Sequence, residues 1–316
     1  TPNQILNAML NRTNTTRILQ TGSMMIAALW LTCTLYAQEP ADADTLWKYN
    51  GTISLNFSQL SLTNWAAGGE NSISGNGLVQ LSGDYDNGQT RWDNDLVLGY
   101  GLIRQGDDPV RKSDDRLDLS SKFGYRASEK WLYSGLLGFR TQFAEGYDNP
   151  GEEDRNKISN WMSPGYLNLS LGMDFKPDEH TAILIAPLAG KMTFVLDEDL
   201  SATGSFGLDP GEKARAEFGA YLKFSYENEI LKNVLLSTKV DLFSNYLERT
   251  QDIDVNWDLL ITFMVNEYIS AKLMTQLIYD RDILFGSDTD GDGVDDTFEP
   301  RVQFKELFGL GLTYSF

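Results

Sequence analysis

The chain closes on Phe308-Gly309-Leu310-Gly311-Leu312-Thr313-Tyr314-Ser315-Phe316. Period-two alternation puts Phe308, Leu310, Leu312, Tyr314 and Phe316 on one face of a strand, with glycine, serine and threonine on the other. A water-soluble domain has little reason to end on its most apolar strand. A barrel in a bilayer does: its last strand closes the ring with a greasy face toward lipid, and a terminal aromatic sits at the interface.

The same alternation recurs upstream. Val255, Trp257, Leu259, Ile261, Phe263 and Val265 share one face, against Asn256, Asp258 and Thr262. Ile269, Ala271, Leu273, Thr275, Leu277 and Tyr279 oppose Ser270, Lys272 and Gln276, and Phe218, Ala220, Leu222, Phe224 and Tyr226 oppose Glu217, Gly219, Lys223 and Ser225. Strands are expected near 47–61, 71–85, 89–104, 114–126, 130–144, 165–176, 180–196, 214–228, 233–247, 252–265, 268–282 and 301–316. That makes about twelve, each long enough for a tilted membrane strand.

A half-buried soluble sheet would also alternate, so the connections decide. Short ones, at Asp86-Asn87-Gly88, Ser128-Glu129, Pro177-Asp178-Glu179, Ile230-Leu231-Lys232 and Asn266-Glu267, take turns with long ones near 62–71, 105–115, 145–164, 197–213, 248–252 and 283–300. Asn87-Gly88 is a strong hairpin signal. Tight turns at one end and long loops at the other imply an all-β, antiparallel, up-and-down transmembrane barrel, and an even strand count returns both termini to the same side. Aromatics gather at the strand ends, as two interfacial girdles require: Trp47, Tyr85, Trp92, Trp131 and Phe316 at the short turns, and Tyr100, Phe143, Phe218, Tyr246 and Tyr279 toward the long loops. The core of a β-sandwich would scatter them along the strands.

The N-terminal stretch reads as a secretory signal over 1–37. Arg12 and Arg17 precede an apolar run from Met24 to Tyr36, with Met9 as the expected start and cleavage expected after Ala37. The run is too short to span a bilayer as a helix. The single cysteine, Cys33, falls inside it, and Leu31-Thr32 lacks the small residue that precedes a lipidated cysteine. Residues 38–46 then form a short periplasmic lead-in, and 47–316 the barrel. A formal charge of −19 leaves nucleic acid a poor partner, because phosphate binding needs clustered Lys and Arg.

The sharpest motif lies in the last long loop, Asp288-Thr289-Asp290-Gly291-Asp292-Gly293-Val294-Asp295-Asp296-Thr297-Phe298-Glu299. Acids at the first, third and fifth positions, Gly at the sixth and Glu at the twelfth complete a calcium-loop pattern. Asp288, Asp290 and Asp292 would supply carboxylates, Val294 a carbonyl, Asp296 a direct or water-mediated ligand and Glu299 a bidentate cap. Gly293 permits the sharp turn. The expected cofactor is a structural Ca²⁺ in a loop without flanking helices. The competing reading is a solvated acidic loop.

Charges expected inside the barrel have mixed sign: Asp95, Asp118, Asp174, Asp241 and Asp258 against Lys122, Arg140, Lys176, Lys223, Lys239 and Lys272. They suggest a lumen laced by ion pairs with no single-sign ring to select an ion. Catalysis finds no support. The only histidine, His180, falls beside a short turn without a nucleophile, and Asp107-Asp108 and Glu152-Glu153 read as loop charges.

The run Leu62-Thr63-Asn64-Trp65-Ala66-Ala67-Gly68-Gly69-Glu70-Asn71-Ser72, after a strand that begins near Trp47, resembles the opening of an uncharacterised outer-membrane barrel family of the Bacteroidetes, known only as a domain of unknown function. Pro300-Arg301-Val302-Gln303-Phe304-Lys305-Glu306, leading into Phe308-Gly309-Leu310-Gly311-Leu312, resembles its close. The resemblance spans about 45–316 and implies an outer-membrane barrel while supplying no activity. The expected environment is therefore the bacterial outer membrane, with its lipid and the barrel-assembly machinery, acting on the strand that ends in Phe316, as partners. Two functions fit: a narrow solute channel or transporter, and a closed scaffold for a protein partner in the envelope.

Overall fold

A computed structural model describes residues 46–62, 70–148, 155–287, 289 and 296–316. The expected signal, Cys33 and the Asn64–Gly69 part of the first loop lie outside them. Alternation in the sequence becomes a closed ring of twelve antiparallel strands. In chain order they are β1 (Trp47–Leu60), β2 (Ser72–Asp86), β3 (Thr90–Gln105), β4 (Arg111–Arg126), β5 (Trp131–Thr141), β8 (Gly165–Phe175), β9 (Thr181–Phe194), β10 (Ala214–Leu231), β11 (Val234–Asn245), β12 (Ile253–Met264), β13 (Ile269–Tyr279) and β16 (Gln303–Ser315). Every strand pairs with the barrel strand before it, and β1 pairs with β16 to close the ring. The missing numbers belong to two small hairpins in long connections, β6 (Gly146–Tyr147) with β7 (Lys157–Ser159), and β14 (Leu284–Ser287) with β15 (Thr297–Pro300).

The barrel is turned inside out relative to a soluble one. On β1, Ile53, Leu55 and Phe57 are exposed while Ser54 and Asn56 between them are buried. On β16, Phe304, Phe308, Leu310, Leu312 and Tyr314 all face outward. Apolar side chains on the outside of a closed ring make a transmembrane β-barrel. At the short-turn end Trp47 packs 5.3 Å from Tyr85 and 5.8 Å from Trp92, and Trp131 4.7 Å from Phe175. At the other end Phe218 meets Tyr246 at 5.7 Å.

One expected loop is shorter than the sequence suggests. The charged stretch Arg111–Ser113 falls within the connection expected near 105–115, ahead of the strand expected from 114. Instead β4 begins at Arg111, and a bulge opposite Gly101 and Leu102 lets it keep pairing with β3. Asp114 turns inward and is only 6% exposed, so here charge marks an inner wall rather than a loop.

The connection between β9 and β10 folds on its own small core of Val195, Leu200 and Leu208, with Phe206 packed against it. Its helix α1 (Glu198–Ala202) is capped by the Asp197 side chain, which accepts from the amides of Asp199 at 3.0 Å and Leu200 at 3.2 Å. Asp197 also receives Lys157 Nζ at 2.9 Å and Asn160 Nδ2 at 2.8 Å from the preceding long connection. Burial would raise the Asp197 pKa. The bonds from Asn160, Lys157 and the Leu200 amide outweigh it and hold the carboxyl at about 2.

Candidate functional site

Inward positions on twelve strands bring charge into a narrow interior, where each ion needs a partner. Nearest the short turns, Asp93 accepts from Lys176 at 2.6 Å and Asp174, 1% exposed, from Lys122 at 2.7 Å. At the waist Asp118 accepts from Arg116 at 2.8 Å and Arg140 at 2.9 Å. Arg116 then reaches Asp258 at 3.0 Å. β4 and β12 face each other across the ring, with five strands between them in either direction. The Arg116–Asp258 contact therefore runs from wall to wall, and Arg140 joins it 3.7 Å from Asp258.

Above the waist, toward the long loops, Lys191 sits among Asp254 at 2.6 Å, Asp280 at 2.8 Å and Glu217 at 3.7 Å. Arg215 bonds Glu217 at 3.0 Å and also Asp282. Glu217, Asp254 and Asp282 also border a recess of about 420 Å³, lined further by Asn245, Arg249, Asp252 and Arg281. A smaller cavity of about 100 Å³ lies near the short turns, lined in part by Lys176, His180, Tyr226 and Lys239. The ionic waist lies between the two ends. Beside it Leu136, Leu184, Ala186, Ala189, Tyr221 and Phe243 form an apolar patch on the inner wall.

Several sequence expectations can be located. Asp118, Lys122, Arg140, Asp174, Lys176 and Asp258 do take part in the lumen pairs. His180 is a turn residue: its amide donates to Asp178 at 2.9 Å and its Nδ1 lies 3.0 Å from the Glu227 carbonyl. Asp107 and Asp108 are exposed loop charges. Of the calcium-loop residues, Asp288, Asp290, Asp292 and Val294 lie outside the described residues. Asp296 accepts from the Thr289 amide at 3.1 Å and its hydroxyl at 2.5 Å, bonds that lower its pKa. Glu299 lies on β15 opposite Phe285, exposed. The last three residues of the motif, Thr297 to Glu299, thus lie on one strand of a two-stranded hairpin.

Parity alone would have found Arg116, two residues before Asp118 on the same strand, and Asp254, four before Asp258. Glu217 already stood on the polar face of its strand, but Lys191 was harder. The register of β9 slips beside Leu188, so Ala186 and Ala189 both face inward and strict alternation fails just before Lys191.

Residues 57–147 match a family described as a protein of unknown function (DUF3078). The match takes in the end of β1, the first loop and β2 to β5, and leaves the resemblance at the C-terminal end outside. No curated protein matches. Among solved structures the chain is similar to an outer membrane channel from Pseudomonas putida F1, at 14% identity over 88% of this chain and 100% of that one, with a TM-score of 0.37. The translocator domain of the autotransporter NalP from Neisseria meningitidis aligns at 8% identity over 95% and 98%, TM-score 0.37. The NanC porin aligns at 8% over 84% and 98%, TM-score 0.35.

Proposed function

We propose that this chain is a bacterial outer-membrane barrel, closed to solutes at its waist, that works from its long-loop mouth as a scaffold for an envelope protein partner. The observation that carries the reading is the Arg116–Asp258 contact between opposite walls, reinforced by Arg140 and Asp118. A conducting pore would need a continuous wet path, and this tier of paired ions lies across it. The apolar exterior and the secretory signal expected over 1–37 support an outer-membrane address. The apolar outer face of β16 suits recognition by the barrel-assembly machinery.

Planar-bilayer recording tests the closure. Wild-type protein is expected to stay silent, and the Arg116→Ala/Asp258→Ala double variant to give unit conductance steps. Stable steps from the wild type would sink the reading and favour a narrow solute channel, for which the 420 Å³ recess would serve as the outer vestibule.

The last long loop belongs to the same proposal. Ca²⁺ held by Asp288, Asp290, Asp292, the Val294 carbonyl, Asp296 and Glu299 would order the tip of the β14–β15 hairpin and stiffen the mouth. Without a cation so many carboxylates repel one another. Calorimetry should register Ca²⁺ binding to the folded barrel and none to the Asp290→Ala/Asp292→Ala variant. Equal heat from both would remove calcium from the proposal.

A further inference from the structure

The ring is not equally closed all the way round. β1 and β16 share six residue pairs, from Thr52↔Ser315 to Phe57↔Leu310. Every other neighbouring pair in the barrel shares at least ten. Above Phe57 and Leu310, β1 goes on pairing with β2 as far as Leu60, and β16 with β13 up to Gln303. Their facing edges, Ser58–Leu60 and Gln303–Gly309, form no ladder with each other. This is the half of the barrel nearer the long loops.

Directly behind the point where that ladder ends lies an unusual group of side chains. Lys272 on β13 is 2% exposed, and its register partner on β16 is Gly309, the first residue beyond the paired stretch. An ammonium has three protons to donate. Among the described residues Lys272 makes one hydrogen bond, to the Ser54 hydroxyl, and has no carboxylate within ion-pair distance. Of the other lumen lysines, Lys122, Lys176, Lys191 and Lys305 have one, and among the described residues Lys239 does not. Beside it Asn56 Nδ2 donates to Asn76 Oδ1 at 3.0 Å, which leaves Asn56 Oδ1 and Asn76 Nδ2 buried without partners. Asn56 is 4% exposed and Asn76 7%. Gly309 makes the close approach workable, since a Cβ there would lie 3.0 Å from that of Asn56.

A buried cation without a counter-charge is costly to hold, as is an amide left half-satisfied. Three such groups meet on one patch of wall, next to the weakest closure of the ring. The geometry points to an anion site: Lys272, Ser54 and Asn76 receive the carboxylate or phosphate head of an acidic ligand, and the short β1–β16 seam admits an amphiphile carrying that head from the surrounding bilayer. Lys272 supplies the charge, Ser54 and Asn76 Nδ2 donate hydrogen bonds, and Asn56 holds Asn76 in place. The outward residues along the seam, Phe57, Phe308 and Leu310, offer an acyl chain an apolar surface. Entry from the bilayer rests on the membrane reading above, whereas the ammonium site does not.

The test uses the full barrel in phosphatidylcholine nanodiscs, with decanoate, acetate and decanol as probes in calorimetry. Wild type should bind decanoate, and Lys272→Met should weaken that binding at least tenfold while its heat-shifted band on a gel shows it folded. Lys272→Arg should retain most of it, because the positive charge remains. Decanol, with the same chain and no charge, should bind far more weakly. No decanoate heat from the wild type, or equal affinity in Lys272→Met, would overturn the site. Acetate separates the two halves: much weaker binding than decanoate supports entry from the bilayer. Equal binding would assign the pocket to small anions from water and overturn the seam as an entrance.

Discussion

The wall formed by β3, β4, β5 and β8 and the wall formed by β13, β16, β1 and β2 fill the same lumen by opposite means. On the first, Asp118 holds two guanidiniums, and Asp93 and Asp174 hold Lys176 and Lys122. On the second, the inward residues are mostly hydroxyls, amides and glycines: Ser54, Asn56, Asn76, Ser270, Gly309, Gly311 and Thr313, with Lys272 as the buried charge. Ions paired on every side act as fixed struts, because removing one strands its partner. A charge left without its opposite is a place where something else can bind. The same element of composition, an inward lysine, therefore means structure where a carboxylate meets it, as at Lys122 or Lys305, and recognition at Lys272.

The largest expected effect breaks the first wall. Asp118→Ala leaves Arg116 and Arg140 short of their shared carboxylate and should cost about 3–5 kcal/mol, as stranded buried charges do. Urea unfolding in detergent, followed by the loss of the heat-shifted gel band, measures it. On the second wall Lys272→Met removes a charge that has no carboxylate to strand, so the same assay should find that variant no less stable than the wild type. A comparable loss in both would erase the distinction between the walls. A smaller effect sharpens the second wall. A Cβ at Gly311 would run into the Leu55 carbonyl across the seam. Gly311→Ala should therefore disturb the six-pair ladder and cost about 1–3 kcal/mol of the same unfolding free energy, as overpacking does. No change there would mean that the β1–β16 contact adds nothing to closure.

Much of this fold was legible in the sequence because period two is a local property. Val255 to Val265 and Ile269 to Tyr279 announce their faces residue by residue, and the turns at Asn87-Gly88 and Asn266-Glu267 limit the register. Inward pointing was readable for Lys272 and Asp258 alike. What each meets was not. The partner of Asp258 is Arg116, on the opposite side of the ring, and the surroundings of Lys272 are assembled only when β16 returns to β1. Such contacts depend on closure and tilt, which no short window contains. Local irregularities hid the rest: the slipped register before Lys191, and the bulge that carries β4 upward to Arg111 through a stretch as charged as any loop.

Asp197 has a consequence beyond its own helix. It caps α1 and at the same time grips Lys157 and Asn160, which come from a different excursion of the chain. Two ribbons that could have waved independently are clasped by a single carboxylate. Whatever approaches this end of the molecule meets one shared epitope rather than two fingers, and a cut in either ribbon would blur the outline of both.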